Sequence, residues 1–231
     1  MRTIILLLIY VVLVLLAIPL LIFCFLTRWR SPLLTYGKFA MGLGRKILGI
    51  RVKIKGLEHI DRKIPYIFMA NHLSFLDGPL LFWAIPRPVR VILKKGIFRI
   101  PLVGLGMKHV GFVPVDRKGI RKGRQAIQKA ARLIKEKGYS FLIFPEGTRS
   151  RDGRLQEFRR GGFFLATESR VPIVPVTVDG TFELMPKGSF FARKGTVQVD
   201  FHPPVKVKKF DRSSLSDLIH RVRESILLSK A

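Results

Sequence analysis

Residues 3–27, "TIILLLIYVVLVLLAIPLLIFCFLT", contain no charged side chain. A run this apolar cannot be left in water, and as a helix at about 1.5 Å per residue it is long enough for a hydrocarbon layer of roughly 30 Å. A secretory leader is the competing reading, but its apolar region would be shorter, and "FCFLTRWRS" offers no small-x-small cleavage site. The run therefore predicts attachment to a membrane. Pro19 permits a kink, so a helix that spans once and one that dips in and lies flat both fit. Arg28, Arg30, Lys38, Arg45 and Lys46 crowd the C-terminal flank against Arg2 and the terminal amine on the other, which predicts that the rest of the chain faces the cytoplasm.

After Pro32, "LLTYGKFAMGLGRKILGI" mixes apolar residues with Lys38, Arg45 and Lys46, as in a helix lying in a membrane interface, although its glycines weaken such a helix. From Arg51 the pattern changes. Short β-branched or aromatic runs, "RVKIK", "YIFMA", "VRVILK", "FVPV", "SFLIF", "PIVPVTV" and "TVQVDF", predict strands and alternate with helical stretches. The clearest helix covers residues 119–137, with Ile120, Ile127, Ala130, Ala131 and Ile134 on one face and Lys118, Arg121, Lys122, Lys129 and Arg132 on the other. A last helix is expected over residues 213–229. The reading is a membrane-anchoring segment, 1–50, followed by a single α/β domain, 51–231, whose mostly buried, twisted β-sheet is flanked by helices.

Composition narrows the partners. With 42 Lys+Arg against 15 Asp+Glu the formal net charge is +27, yet 48% of residues are hydrophobic. That describes a folded basic protein, whose field suits anionic lipid, an acidic protein or nucleic acid. A non-enzymatic basic membrane or nucleic-acid-binding protein is one reading of the charge, but no RNP-like aromatic platform or helix-turn-helix pattern is evident. Cys24 is the only cysteine, inside the apolar run, so no intrachain disulfide or cysteine metal cluster is available. His59, His109, His202 and His220 are scattered without ligand spacing and read as structural or surface residues.

The stretch "NHLSFLD", residues 71–77, places His72 and Asp77 five apart, which on one continuous helix would turn them about 140° away from each other. Pro79 suits the first turn of a helix, so a helix starting near Asp77 and running through "GPLLFWA" would leave His72 on the loop that follows "YIFMA". The chain can then fold back to set the carboxylate on one imidazole nitrogen, leaving the other to take a proton. Ser74-x-x-Asp77 equally fits a capping box, with Asp77 as an N-cap. Ser74 reads as a capping residue rather than a nucleophile.

"FPEGTRS", residues 144–150, follows "SFLIF" directly and puts Glu146, Gly147, Thr148 and Arg149 at a strand end, where ligands gather in open α/β sheets. Gly147 permits close approach, Thr148 can donate a hydrogen bond and Arg149 can clasp a phosphate; a tight turn with a surface Glu–Arg pair is the plainer reading. "GFVPVDR", residues 111–117, sets Arg117 just beyond another strand. "VPIVPV", residues 171–176, carries two prolines and reads as an edge or barrel-like wall. There is no G-x-S-x-G elbow and no metal motif.

In that order, NHxxxxD, GFVPVDR, FPEGTRS and VPIVPV resemble the four blocks of the glycerolipid acyltransferase family, most of all its bacterial 1-acylglycerol-3-phosphate acyltransferases. The resemblance covers about residues 51–201. It implies a 1-acylglycerol-3-phosphate O-acyltransferase that moves an acyl group from acyl-ACP or acyl-CoA to the sn-2 hydroxyl of lysophosphatidic acid, forming phosphatidic acid; another lysolipid acceptor is the near variant. By the same resemblance His72 is the base, Asp77 its partner, and Arg117, Glu146, Gly147 and Arg149 bind the acceptor's phosphate. "KKGIFRIPLVG" is similar to the family's lysine-containing segment, bringing Lys94 or Lys95 toward that phosphate, and "FRRGG", residues 158–162, to its basic-Gly segment. Pro114 and Val115 depart from the bulkier residues usual in the second block. No metal or cofactor is implied beyond the thioester co-substrate. The implied partners are lysophosphatidic acid, acyl carrier protein or a CoA thioester, and anionic membrane lipid, without nucleic acid. The implied location is the cytoplasmic face of the inner (plasma) membrane.

Overall fold

A computed structural model describes residues 1–116, 120–207, 210 and 213–227. The expected strands form with small shifts at their ends: β1 (Ile50–Lys55), β2 (Ile67–Ala70), β3 (Val89–Lys94), β4 (Val113–Val115), β5 (Ser140–Ile143), β6 (Ile173–Asp179) and β7 (Gly195–Phe201). They make a seven-stranded sheet in the order β1-β7-β6-β2-β5-β3-β4. β6, β2, β5, β3 and β4 run parallel, β7 is antiparallel to β6, and β1 is parallel to β7. The architecture is therefore a mixed α/β sheet covered by helices.

Side-chain alternation divides the sheet between two cores. From β2, Phe68 and Ala70 join Leu142, Val174, Val176 and Val199 on one face. Ile67 and Met69 join Phe141, Ile143 and Ile173 on the other. Every residue of β2 and β5 is buried, as strands covered on both faces require. The first face packs against α1 (Arg2–Thr27), α2 (Ser31–Leu48) and α3 (Asp77–Ala84). The second is covered by α5 (Ile120–Lys137), α6 (Gly161–Ser169) and α8 (Leu215–Leu227), while α4 (Val103–His109) precedes β4 and α7 (Thr181–Leu184) follows β6. On α5 the expected division holds: Ala130, Ala131 and Ile134 are buried, while Arg121, Lys122, Lys129 and Arg132 are exposed. Lys118 lies outside the described residues.

The edge reading of "VPIVPV" is overturned. β6 lies inside the sheet between β7 and β2, and all but its last residue are buried. In a parallel strand alternate residues bond to opposite neighbours. Ile173 bonds Val205 in both directions and the Pro175 carbonyl accepts from His202 N–H (3.0 Å), so Pro175 faces the β7 side. Its missing donor falls between the end of β7 at Phe201 and the Ile173–Val205 bridge, where the ladder is already interrupted. An interior strand thus tolerates the proline.

α1 and α2 form an antiparallel hairpin. Tyr36 Oη donates to the Leu13 carbonyl (2.7 Å) and Tyr10 Oη to that of Ala40 (3.4 Å). A Cβ on Gly44 would stand 2.1 Å from Tyr10 Oη, so this crossing needs a glycine. Both ends of α1 touch the α/β domain: Ala192 N–H donates to Thr3 Oγ1 (3.2 Å), and the Phe25 ring lies 4.2 Å from that of His109. The helix therefore lies along the domain instead of projecting from it. Leu7, Leu8, Val12, Leu15 and Leu16 are exposed on its outer face, and Cys24 is packed inside. On α2, two of the basic residues turn inward: Lys38 Nζ meets the carbonyls of Ile85 and Arg87 (2.5 and 3.0 Å), and Arg45 stacks over Trp83. They bind α2 to the domain, and only Lys46 of the three is exposed.

Candidate active site

β6, β2 and β5 are adjacent and parallel, so the segments leaving their C-terminal ends converge. From β2 come Asn71 and His72, from β5 residues 144–150, and from β6 Thr181. Asn71 is buried and closes this end of the sheet: its Nδ2 donates to the Val178 carbonyl (2.8 Å), and Val178 N–H donates to its Oδ1 (2.7 Å). The two sides of the His72 backbone are tied to the loop after β5. His72 N–H donates to Glu146 Oε1 (2.6 Å), and Ser150 N–H to the His72 carbonyl (2.8 Å).

α3 starts at Asp77, as the proline implied. The Asp77 carboxylate is completely buried, and its Oδ2 accepts from Leu73 N–H (2.7 Å), Ser74 N–H (2.8 Å) and His72 Nδ1 (2.9 Å). Its Oδ1 accepts from Thr181 Oγ1 (2.6 Å). Asp77 is not the N-cap of α3, which is Leu76 and has no side-chain cap bond; its carboxylate instead holds the imidazole and closes the turn before the helix through Leu73 and Ser74 N–H. With Asp77 as acceptor the ring proton belongs on Nδ1, leaving the lone pair on Nε2. The His72 ring stacks on Phe144 (4.0 Å between centroids, 18° between planes). Its side chain is 17% exposed, and no described protein group hydrogen-bonds Nε2. Ser74 Oγ donates to the Met185 carbonyl (2.7 Å) and accepts from Leu76 N–H (3.2 Å), so it braces the turn.

Glu146 is buried, and its second oxygen accepts from Gln156 N–H (2.9 Å) and Nε2 (3.2 Å). Burial pushes its carboxyl above the usual carboxylate range, while the hydrogen bonds from Gln156 and His72 pull the other way. Gly147 has φ 72°, and a Cβ there would sit 2.9 Å from Arg159 Cδ and Nε, so the glycine lets Arg159 close over the turn. Lys187 Nζ reaches Thr148 Oγ1 (3.3 Å) and the Arg149 carbonyl (3.0 Å).

His72 opens onto a cavity of about 2870 Å³. Its lining includes apolar side chains, among them Leu6, Tyr10, Leu34, Met41 and Leu80 from the helices over the first face of the sheet. It also includes the cations Lys94, Arg124, Arg149, Arg159, Arg160 and Lys187. Lys94 lines this space and Lys95 does not; Arg117 lies outside the described residues. Among the described residues no group of three or more His, Cys, Asp or Glu side chains is placed to hold a metal.

Thr181, Gln156 and Lys187 escaped the sequence reading. Thr181 is 104 residues from the aspartate it contacts, and no local spacing announces it.

An acyltransferase family model matches residues 51–179. The chain is similar to a 1-acyl-sn-glycerol-3-phosphate acyltransferase of Limnanthes douglasii, 34% identical over 189 residues, which cover 82% of this chain and 66% of the relative. A bacterial protein of the same name, from Borreliella burgdorferi, is 30% identical over 181 residues, 78% of this chain and 72% of its own. The crystal structure of the 1-acyl-sn-glycerophosphate (LPA) acyltransferase of Thermotoga maritima superposes with a TM-score of 0.83 at 28% identity, covering 100% of this chain and 95% of that one. This chain thus spans just under two thirds of the length of the Limnanthes relative.

Proposed function

The chain belongs to the acyltransferase family, and we propose that it transfers a fatty acyl group from acyl-ACP or acyl-CoA to the sn-2 hydroxyl of 1-acylglycerol 3-phosphate, forming phosphatidic acid. The observation that carries this reading is the His72 ring, held at Nδ1 by a buried carboxylate, with Nε2 unengaged by any described group beside a cavity lined by both apolar and cationic side chains. The acceptor is the one for which the Limnanthes and Borreliella relatives are named.

In this mechanism Nε2 removes the proton of the acceptor hydroxyl as its oxygen attacks the thioester carbonyl carbon. The C–O bond forms, the C–S bond breaks, and the departing thiolate takes the proton back from Nε2. A positioned base of this kind contributes roughly 10²- to 10⁴-fold. Asp77 stabilises the imidazolium formed in between. Arg149 and Lys94 hold the acceptor's phosphate, assisted by Arg159, Arg160 and Lys187, with the Thr148 hydroxyl at the rim. Glu146, whose oxygens are engaged by His72 and Gln156, acts by positioning the His72 backbone, and Gly147 by letting the loop close. Arg117 is assigned to the same phosphate by the resemblance of "GFVPVDR" to the family's second block. The outer face of α1 lies in one leaflet of an anionic membrane, with the α/β domain on the cytoplasmic side.

The test is acylation of 1-oleoylglycerol 3-phosphate by the purified wild-type protein and by His72→Ala, with acyl-CoA and acyl-ACP supplied in parallel. Wild-type turnover that falls by at least about a hundredfold in a folded variant is expected. A His72→Ala protein that keeps the wild-type rate would refute the base assignment, and a wild type inert with both donors would refute the reaction.

A further inference from the structure

Between α7 and β7 runs "MPKGSFFARK", residues 185–194. Phe190 and Phe191 are 83% and 60% exposed, more than any other large apolar side chain described outside Met1 and α1. They sit in a defined turn. Ser189 N–H donates to the Pro186 carbonyl (3.0 Å), Phe191 N–H to Ser189 Oγ (3.3 Å), and Ser189 Oγ to the Phe191 carbonyl (2.9 Å). An ordered turn that presents two adjacent aromatic rings to water is a poor solution for a surface that meets only water.

Both ends of this connection have partners. At its start, Ser74 Oγ bonds the Met185 carbonyl and Lys187 reaches Thr148 and the Arg149 carbonyl, so it grips the loops that hold His72. At its far end, Ala192 N–H bonds Thr3 Oγ1, at the start of α1, where Ile4, Leu7 and Leu8 are exposed. The apolar face of α1 therefore continues onto the phenylalanine turn. Arg193 and Lys194 flank the turn and are exposed. Apolar rings next to long cationic side chains suit an anionic bilayer, in which the rings enter the headgroup and acyl boundary and the cations meet the lipid phosphates.

We propose that Phe190 and Phe191 form a second membrane-inserting element, carried by the α/β domain itself, whose partner is an anionic lipid bilayer. The inference rests on the placement of α1 in a leaflet given above. With α1 and this adjoining turn both inserted, the cavity that they help to line, leading to His72, is seated on the lipid surface. A lysolipid then enters from the bilayer without exposing its chain to water.

The test uses the full-length protein on vesicles of phosphatidylglycerol and phosphatidylcholine, in which part of the lipid is brominated near the glycerol end of its chains. In Phe191→Trp the added emission is expected to shift to the blue on binding and to be quenched by the brominated lipid, beyond the quenching shown by the native Trp29 and Trp83 of the wild type. Added emission that stays unquenched while the variant co-sediments with the vesicles would overturn the proposal. Phe191→Asp, with unchanged circular dichroism, is expected to weaken vesicle affinity by about tenfold or more; affinity within about twofold of wild type would count equally against it. Neither readout requires turnover, so failure of the acyl-transfer reading shows separately.

Discussion

Asp77→Asn isolates the charge on the imidazole's partner, because the structure dictates how the amide must sit. Oδ2 faces two backbone N–H groups and the Nδ1 proton. The Asn NH₂ cannot occupy that position without opposing three donors, so the amide oxygen takes it. The NH₂ then faces Thr181 Oγ1, which can turn its lone pair to accept. Shape, tautomer and backbone closure all survive, and the negative charge is removed. At the 2.9 Å separation and an effective dielectric of about 20, a full charge pair is worth about 6 kcal/mol. The imidazole carries only part of the proton's charge in the transition state and the amide dipole retains part of the attraction, which leaves about 3 kcal/mol, or roughly a hundredfold in kcat. The assay is steady-state acylation over the full range of acceptor concentration, with thermal unfolding as the control. A properly folded Asp77→Asn protein whose kcat stays within about threefold of wild type would refute the reasoning.

Thr181→Val conserves volume and strips Asp77 Oδ1 of its described donor; unfolding free energy should fall by about 1.5–3 kcal/mol, with kcat down several-fold and KM for the acceptor unchanged. Gly147→Ala forces a Cβ into a left-handed turn and against Arg159; KM for the phosphate-bearing acceptor should rise more than kcat falls, and an unchanged KM would dissociate this loop from phosphate recognition. The carboxyl of Glu146 is raised by burial, so the folded state holds its proton more tightly than the unfolded chain. Its contribution to stability must therefore grow as pH falls through the raised value and fade as pH rises above it. Urea midpoints of wild type relative to Glu146→Gln, measured from neutral pH downward, should shift in favour of wild type, while wild-type turnover falls as His72 N–H loses an ionised acceptor.

What could be read without the fold was local. Strand periodicity, the alternating faces of α5, the proline that starts α3 and the five-residue interval from His72 to Asp77 all depend on neighbours within a turn or two, whose geometry the backbone restricts. That interval was legible because both residues belong to one loop and one helix start. Even so, the capping and pairing readings of Asp77 could not be separated in the sequence, since a carboxylate at that position can accept from nearby backbone N–H groups and from the imidazole alike, as Oδ2 does. The length and apolarity of residues 3–27 likewise implied a membrane but not the lie of α1, which rests on contacts with Ala192 and His109 far along the chain.

Tertiary structure decided whatever depended on which neighbour stands opposite. The two prolines of "VPIVPV" suggested an edge, because a missing N–H is harmful only if a partner strand faces it; Pro172 precedes β6, and strand order placed an interrupted ladder beside Pro175. Glu146 has the composition of a surface turn residue until the fold brings His72 and Gln156 to its oxygens. Lys94 and Lys95 are equivalent in the sequence, and the end of β3 turns only Lys94 to the cavity. Residue type and short spacing specify what a side chain is able to do. Burial and long-range pairing, which arise only when parallel strands bring separate loops together, determine which of those capacities it uses.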